Sequence, residues 1–229
     1  MRSKFRITMM VLVGALALSA VASASASAVL PEIVNSKGGE LVKKKFTSKG
    51  TESRDFLTAA NHGLFECVGF SGKGEVKGTR GGEETSTYTG CKYASKCQTA
   101  GNREGEITFT TSVTPVWLNK AKEEVALLLS LKPGGFQFNC GSPLLQKYTV
   151  SGAILVRVGV VNKLNTTYNF ATKQTNGIPE LREYENEAGE KVTANLKGEA
   201  SGVENWKNEP MANETAWGTT FEEEAEFKA

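Results

Sequence analysis

Phe221, Glu223, Ala225 and Phe227 alternate with Glu222, Glu224 and Glu226 near the end of this 229-residue chain. A helix would scatter those residues around its circumference. A strand gathers Glu222, Glu224 and Glu226 on one solvated face and sets the two aromatic rings behind them. The same period of two recurs in Glu106-Ile107-Thr108-Phe109-Thr110, where Ile107, Phe109 and Val113 share a face. Ala153 to Val158 is a β-branched run suited to a central strand, and Leu164 to Phe170 follows it as a strand with Thr and aromatic content.

Turn chemistry agrees with this reading. Lys132-Pro133-Gly134-Gly135 predicts a tight turn between the apolar run Val125 to Leu131 and a strand over Phe136 to Phe138. Asn186-Glu187-Ala188-Gly189 predicts a hairpin, and Gly72, Gly74 and Gly78 punctuate a polar hairpin that continues to Thr89. Leu118, Ala121, Val125, Leu128 and Leu129 have helical spacing, yet Val125 to Leu129 is apolar on every face. The segment therefore reads as a strand preceded by a turn at Asn119 to Lys122. Roughly ten strands and at most one short helix predict an all-β fold, an antiparallel barrel or sandwich.

The first residues have a different logic. A basic start (Arg2, Lys4, Arg6), an apolar run from Ile7 to about Leu18 and the small residues Ser19 to Ala28 form the three parts of a secretory signal peptide. Cleavage after Ala24, Ala26 or Ala28 is expected, with Ala28 preferred, leaving 29–229 as one secreted domain without a membrane span. The formal net charge of +2 then becomes −1, divided between +7 over 29–179 and −8 over an acidic part, 180–229. Such a split predicts either mutual attraction within one fold or two solvated faces, and the balance does not suit a nucleic-acid binder.

Cys67, Cys91, Cys97 and Cys140 are an even set in an exported chain, which reads as disulfides. Three pairings are possible. Phe65 and Cys67 share a strand face, as do Phe136, Phe138 and Cys140, whereas Cys91 and Cys97 bracket a short polar loop. This patterning favours Cys67 with Cys140 and Cys91 with Cys97. Without Cys-x-x-Cys knuckles or nearby histidines, no metal site or cofactor is expected.

The order of segments resembles a group of exported proteins of soil actinobacteria. The features that carry it are Lys45 to Thr51, a strand-borne Cys67, Thr89-Gly90-Cys91 with Cys97 shortly after, Gly105 to Thr108, Phe136 to Cys140, Val161-Asn162-Lys163 and the closing Phe227-Lys228-Ala229. The resemblance implies secretion, a β-fold and a four-cysteine pattern; it implies no activity.

Catalytic chemistry finds little to use. A Ser-His-Asp triad would need His62 and Asp55, the only residues of their kinds, and no Gly-x-Ser-x-Gly elbow is present. A glycoside hydrolase needs two carboxylates on a cleft, and no glutamate is set apart by its context. Trp117, Trp206 and Trp217 sit near polar or turn-like sequence, so they are candidates for stacking on sugar rings, with capping of the core ends the favoured reading. Lys43-Lys44-Lys45 suits an anionic envelope polymer or a charged strand edge. The expected function is that of a monomeric, secreted, non-enzymatic β-protein binding an extracellular or cell-envelope ligand such as a glycan. A structural surface protein without a small ligand is the alternative, with a Glu-dependent glycoside hydrolase behind it.

Overall fold

The computed structural model describes residues 30–57, 63–141, 146–203 and 207–229, with the backbone alone over 51–57 and at 63. The expected signal peptide, His62 and Trp206 lie outside the described residues. The chain is all-β, and the one helical turn among the described residues, Lys120–Lys122, falls where a turn was expected.

After β1 (Glu32–Asn35), the 13-residue β2 (Lys45–Leu57) is matched by two shorter strands laid end to end. β3 (Gly63–Cys67) pairs with its second half and β4 (Gly69–Gly78) with its first. β4 turns into β5 (Gly81–Thr89), the polar hairpin that the glycines announced. A small hairpin follows, β6 (Lys92–Tyr93) and β7 (Ser95–Gln98), and then β8 (Ile107–Asn119), which lies beside β5. β9 (Glu124–Leu131) returns along β8.

At Lys132–Gly135 the backbone makes the expected turn, with Gly135 N–H donating to the Lys132 carbonyl at 2.8 Å. It does not reverse the chain. β10 (Phe136–Cys140) continues in the direction of β9, and both pair with β11 (Gln146–Arg157). The turn is an outward excursion in one long strand. Such interruptions, here and between β3 and β4, explain why the strands outnumber the ten expected.

β12 (Asn165–Thr172) is followed by two small hairpins, β13 (Gln174–Thr175) with β14 (Ile178–Pro179) and β15 (Glu183–Glu185) with β16 (Lys191–Thr193). The second of these is the hairpin predicted at Asn186 to Gly189. β17 (Leu196–Ala200) and the 20-residue β18 (Glu209–Lys228) complete the fold. Every ladder among the described residues is antiparallel, and the pairings close on themselves. β18, β2, β4, β5, β8, β9, β11 and β17 form one ring. β18, β2, β3, β6, β7, β10, β11 and β17 form a second ring along the same barrel axis. Closure removes the free sheet edges where these ladders run.

The inward residues form two clusters, one for each ring. Phe46, Trp117, Val125, Phe170, Phe221 and Phe227 belong to the first. Phe65, Phe138, Tyr148 and all four cysteines belong to the second. On β18 the expected alternation holds: Phe221, Ala225 and Phe227 are buried, while Glu222 and Glu224 are exposed. A smaller cluster lies outside the ring, where Leu181, Tyr184 and Ala194 pack on Val116, Ala126 and Leu155.

The disulfide pairing corrects the expectation. Cys67 bonds Cys91 and Cys97 bonds Cys140, not Cys67 with Cys140 and Cys91 with Cys97. The four stand in a row across β3, the β6–β7 hairpin and β10. Cys91 and Cys97 are indeed neighbours, but the Cys97 N–H donates to the Cys91 carbonyl at 2.9 Å. The Cys91 N–H donates elsewhere, to the Gly105 carbonyl at 2.9 Å. The Cα atoms of each bonded pair are only 4.0 Å apart. Cys67 and Cys140, at the two ends of the row, are about 14 Å apart at the usual strand spacing, well beyond disulfide reach.

Candidate functional site

β5 reads Gly81-Gly82-Glu83-Glu84-Thr85-Ser86-Thr87-Tyr88-Thr89. Alternation sends Glu83, Thr85 and Thr87 outward, where the two threonine hydroxyls meet those of Thr110 and Thr108 across the ladder at 3.0 and 3.1 Å. It sends Glu84, Ser86 and Tyr88 into the barrel. The two adjacent glutamates therefore live in opposite environments. Glu83 accepts a hydrogen bond from Lys77 and stands 3.8 Å from Lys132, and these cations hold its carboxyl below the usual range. Glu84 is 6% exposed. Burial pushes its carboxyl above the usual range, opposed by a hydrogen bond from the Ser48 hydroxyl.

The opposite strand makes room for it. β4 presents Gly72 and Gly74 toward the interior between Phe70 and Val76. A Cβ on Gly72 would lie 1.8 Å from Glu84 Oε1, and one on Gly74 would lie 2.1 Å from the Phe46 ring. Only the absence of a side chain at Gly72 seats the carboxyl there. On its far side Ser48 shares a 2.8 Å hydrogen bond with Thr219. A second polar group lies nearby on β12 and β18: the Thr172 hydroxyl donates to Asn213 Oδ1 at 2.7 Å and accepts from the Thr215 N–H at 2.9 Å.

One atom in this belt is left over. Glu84 Oε1 is fully buried and has no hydrogen-bond partner, the one such side-chain atom among the described residues. Leaving a buried carboxylate oxygen unpaired is costly, so the site is short of a donor. Glu84 lines a cavity of about 90 Å³ inside the barrel, together with Ser86, Thr111, Asn213, Trp217 and the rings of Phe65, Phe70, Tyr88, Phe109, Phe136 and Phe138. A cavity lined by aromatic rings with a few convergent polar groups has the chemistry of a small-molecule site, at a volume well below the roughly 300–1,000 Å³ of drug-sized pockets, so it suits only a small ligand.

A second cavity, of about 160 Å³, adjoins the first and shares Ile154 and Asn213 with it. It marks a seam in the wall. β12 forms a ladder with β18 but none with β11, and the gap is lined by Ala153, Arg157, Ala171, Lys173 and Leu181. The excursion that carries β13 to β16 covers this side of the barrel.

Two of the three tryptophans considered as sugar platforms, Trp117 and Trp217, are not on the surface. Trp117 is 4% exposed and belongs to the first core cluster. Trp217 is also buried, with ring centroids 5.9 Å from Phe70 and 5.7 Å from Phe170, and it lines the interior cavity. Both lie on the inward parity of long strands, which overrides the polar character of their sequence neighbours. Lys44 pairs with Glu223 at 3.2 Å, and the Lys45 backbone N–H donates to Glu222 Oε2 at 3.1 Å, so the lysine run contacts the acidic strand of its own chain. Asp55 lies on β2, where the backbone alone is described.

Glu84 is the residue that sequence reasoning missed. Its signal was the parity it shares with Ser86 and Tyr88, opposite to that of Glu83. Among the described residues it is the one buried carboxylate. Among the described residues no three His, Cys, Asp or Glu side chains converge as a metal site, and no helix is long and apolar enough to cross a membrane. No family model, curated protein or solved structure matches the chain.

Proposed function

We propose that this chain is an exported, non-enzymatic β-barrel protein that binds a small, largely apolar ligand inside the barrel. The observation that carries the reading is the interior cavity, walled by aromatic rings and holding a buried carboxyl oxygen without a donor. Export is supported by the signal-like pattern over 1–28 and by two cystines, which persist in oxidising compartments. A glycan stacked on the surface is disfavoured because Trp117 and Trp217 are buried.

The test is a panel of small aromatic and aliphatic compounds added to the protein while Tm and tryptophan emission are followed. A ligand present at 100 times its Kd adds about 2.7 kcal/mol to stability, and it changes the emission of the cavity-lining Trp217. Ser86→Leu fills part of the cavity and removes both responses. A panel that moves neither signal, as expected of a purely structural surface protein, would overturn the reading. So would an unchanged response in the Ser86→Leu variant.

A further inference from the structure

Among the described residues the cavity lining contains one acid, Glu84, and no lysine, arginine or histidine. That asymmetry discriminates between ligand classes. An anionic ligand would meet Glu84 with no counter-charge. A neutral hydrocarbon would fill the apolar space but leave Glu84 Oε1 without a donor. A ligand with an N–H group satisfies that oxygen, and a protonated amine does so with a charge-assisted hydrogen bond. The aromatic walls suit the same ligand: Phe70 lies between Tyr88 and Trp217, at ring-centroid distances of 5.0 and 5.9 Å, and such π faces attract cations.

Taking the interior cavity as the ligand site, we infer that its ligand is a small apolar amine, with the ammonium group held by Glu84 Oε1 and the hydrocarbon part packed among the rings. Ser48 is a positioning residue. Its hydroxyl bonds the Glu84 carboxyl and is itself tied to Thr219, which fixes the carboxyl over Gly72.

The experiment uses three probes of nearly equal shape, benzylamine, ethylbenzene and phenylacetate, titrated into the protein at neutral pH by calorimetry and by tryptophan emission. Benzylamine is expected to bind about tenfold or more tightly than ethylbenzene, the advantage of one charge-assisted hydrogen bond, and phenylacetate is expected to be the weakest. Glu84→Gln is expected to bring the benzylamine-to-ethylbenzene ratio close to one. Ethylbenzene binding as tightly as benzylamine in the unaltered protein overturns the amine inference and leaves the cavity reading standing. A benzylamine preference that survives Glu84→Gln also overturns it. If none of the three binds while other neutral compounds of the panel do, the amine inference fails alone; if no compound binds at all, both fail. The ratio in the unaltered protein decides the matter even where the Glu84 variant does not fold.

Discussion

Glu83 and Glu84 are chemically identical neighbours whose carboxyls move in opposite directions, one stabilised as an anion by Lys77 and Lys132, the other buried. An acid whose pKa rises on folding binds its proton more readily in the folded state. Its contribution to stability is therefore full at acidic pH and is lost as pH rises from the ordinary carboxyl value of 4.5 through the higher folded value. Glu84→Gln removes that loss. The variant and the parent should melt at similar temperatures near pH 4, with the variant melting higher near pH 8. A gap that fails to widen with pH would show that Glu84 is ionised and partnered when folded. At this scale half of the site was legible in the sequence. The parity of Glu84 with Ser86 and Tyr88 could be read from β5 alone. That Gly72 stands against the carboxyl depends on the β4–β5 register, in which Gly72 is opposite Ser86 and Gly74 opposite Glu84, and no local pattern encodes a register.

Strands show the same division between what is local and what is not. The period of two correctly placed Cys67 beside Phe65 and Cys140 beside Phe138 on buried faces. It could not say which strand lies next to which, and the cystines follow the ladder: β3 beside β6, and β7 beside β10. The turn expected at Lys132–Gly135 is present, but a Pro-Gly-Gly turn has the same local chemistry whether the chain reverses or bulges. Non-reducing peptide mapping should recover Cys67 linked to Cys91 and Cys97 linked to Cys140, with no Cys91–Cys97 peptide. The bonded cysteines are 24 and 43 residues apart. In the loop-entropy account, replacing Cys97 and Cys140 together by Ser should cost about 4 kcal/mol, and replacing Cys67 and Cys91 together slightly less. Denaturant unfolding of the two double variants measures this, and equal or reversed losses would contradict it.

At the scale of the whole molecule, strand pairing brings the ends together. Among the described residues one ion pair, Lys44–Glu223, joins the basic 29–179 and acidic 180–229 parts, and the other pairs fall within one part or the other. Both of its side chains are more than one-third exposed, where such pairs contribute little. The closing element is β18, which pairs with β1, β2, β12 and β17. Its order in the chain has a kinetic consequence. The β4–β5 and β8–β9 hairpins bring together residues close in sequence, but β18 meets β2 across a separation such as the 171 residues between Ser48 and Thr219. Loop-closure entropy must be met before those contacts form, which places refolding with the cystines intact in the millisecond-to-second range or slower. Stopped-flow tryptophan fluorescence should show no complete sub-millisecond recovery. During synthesis the strands before β18 emerge as hairpins with an open seam, and the chain becomes a ring only when β18 has been delivered.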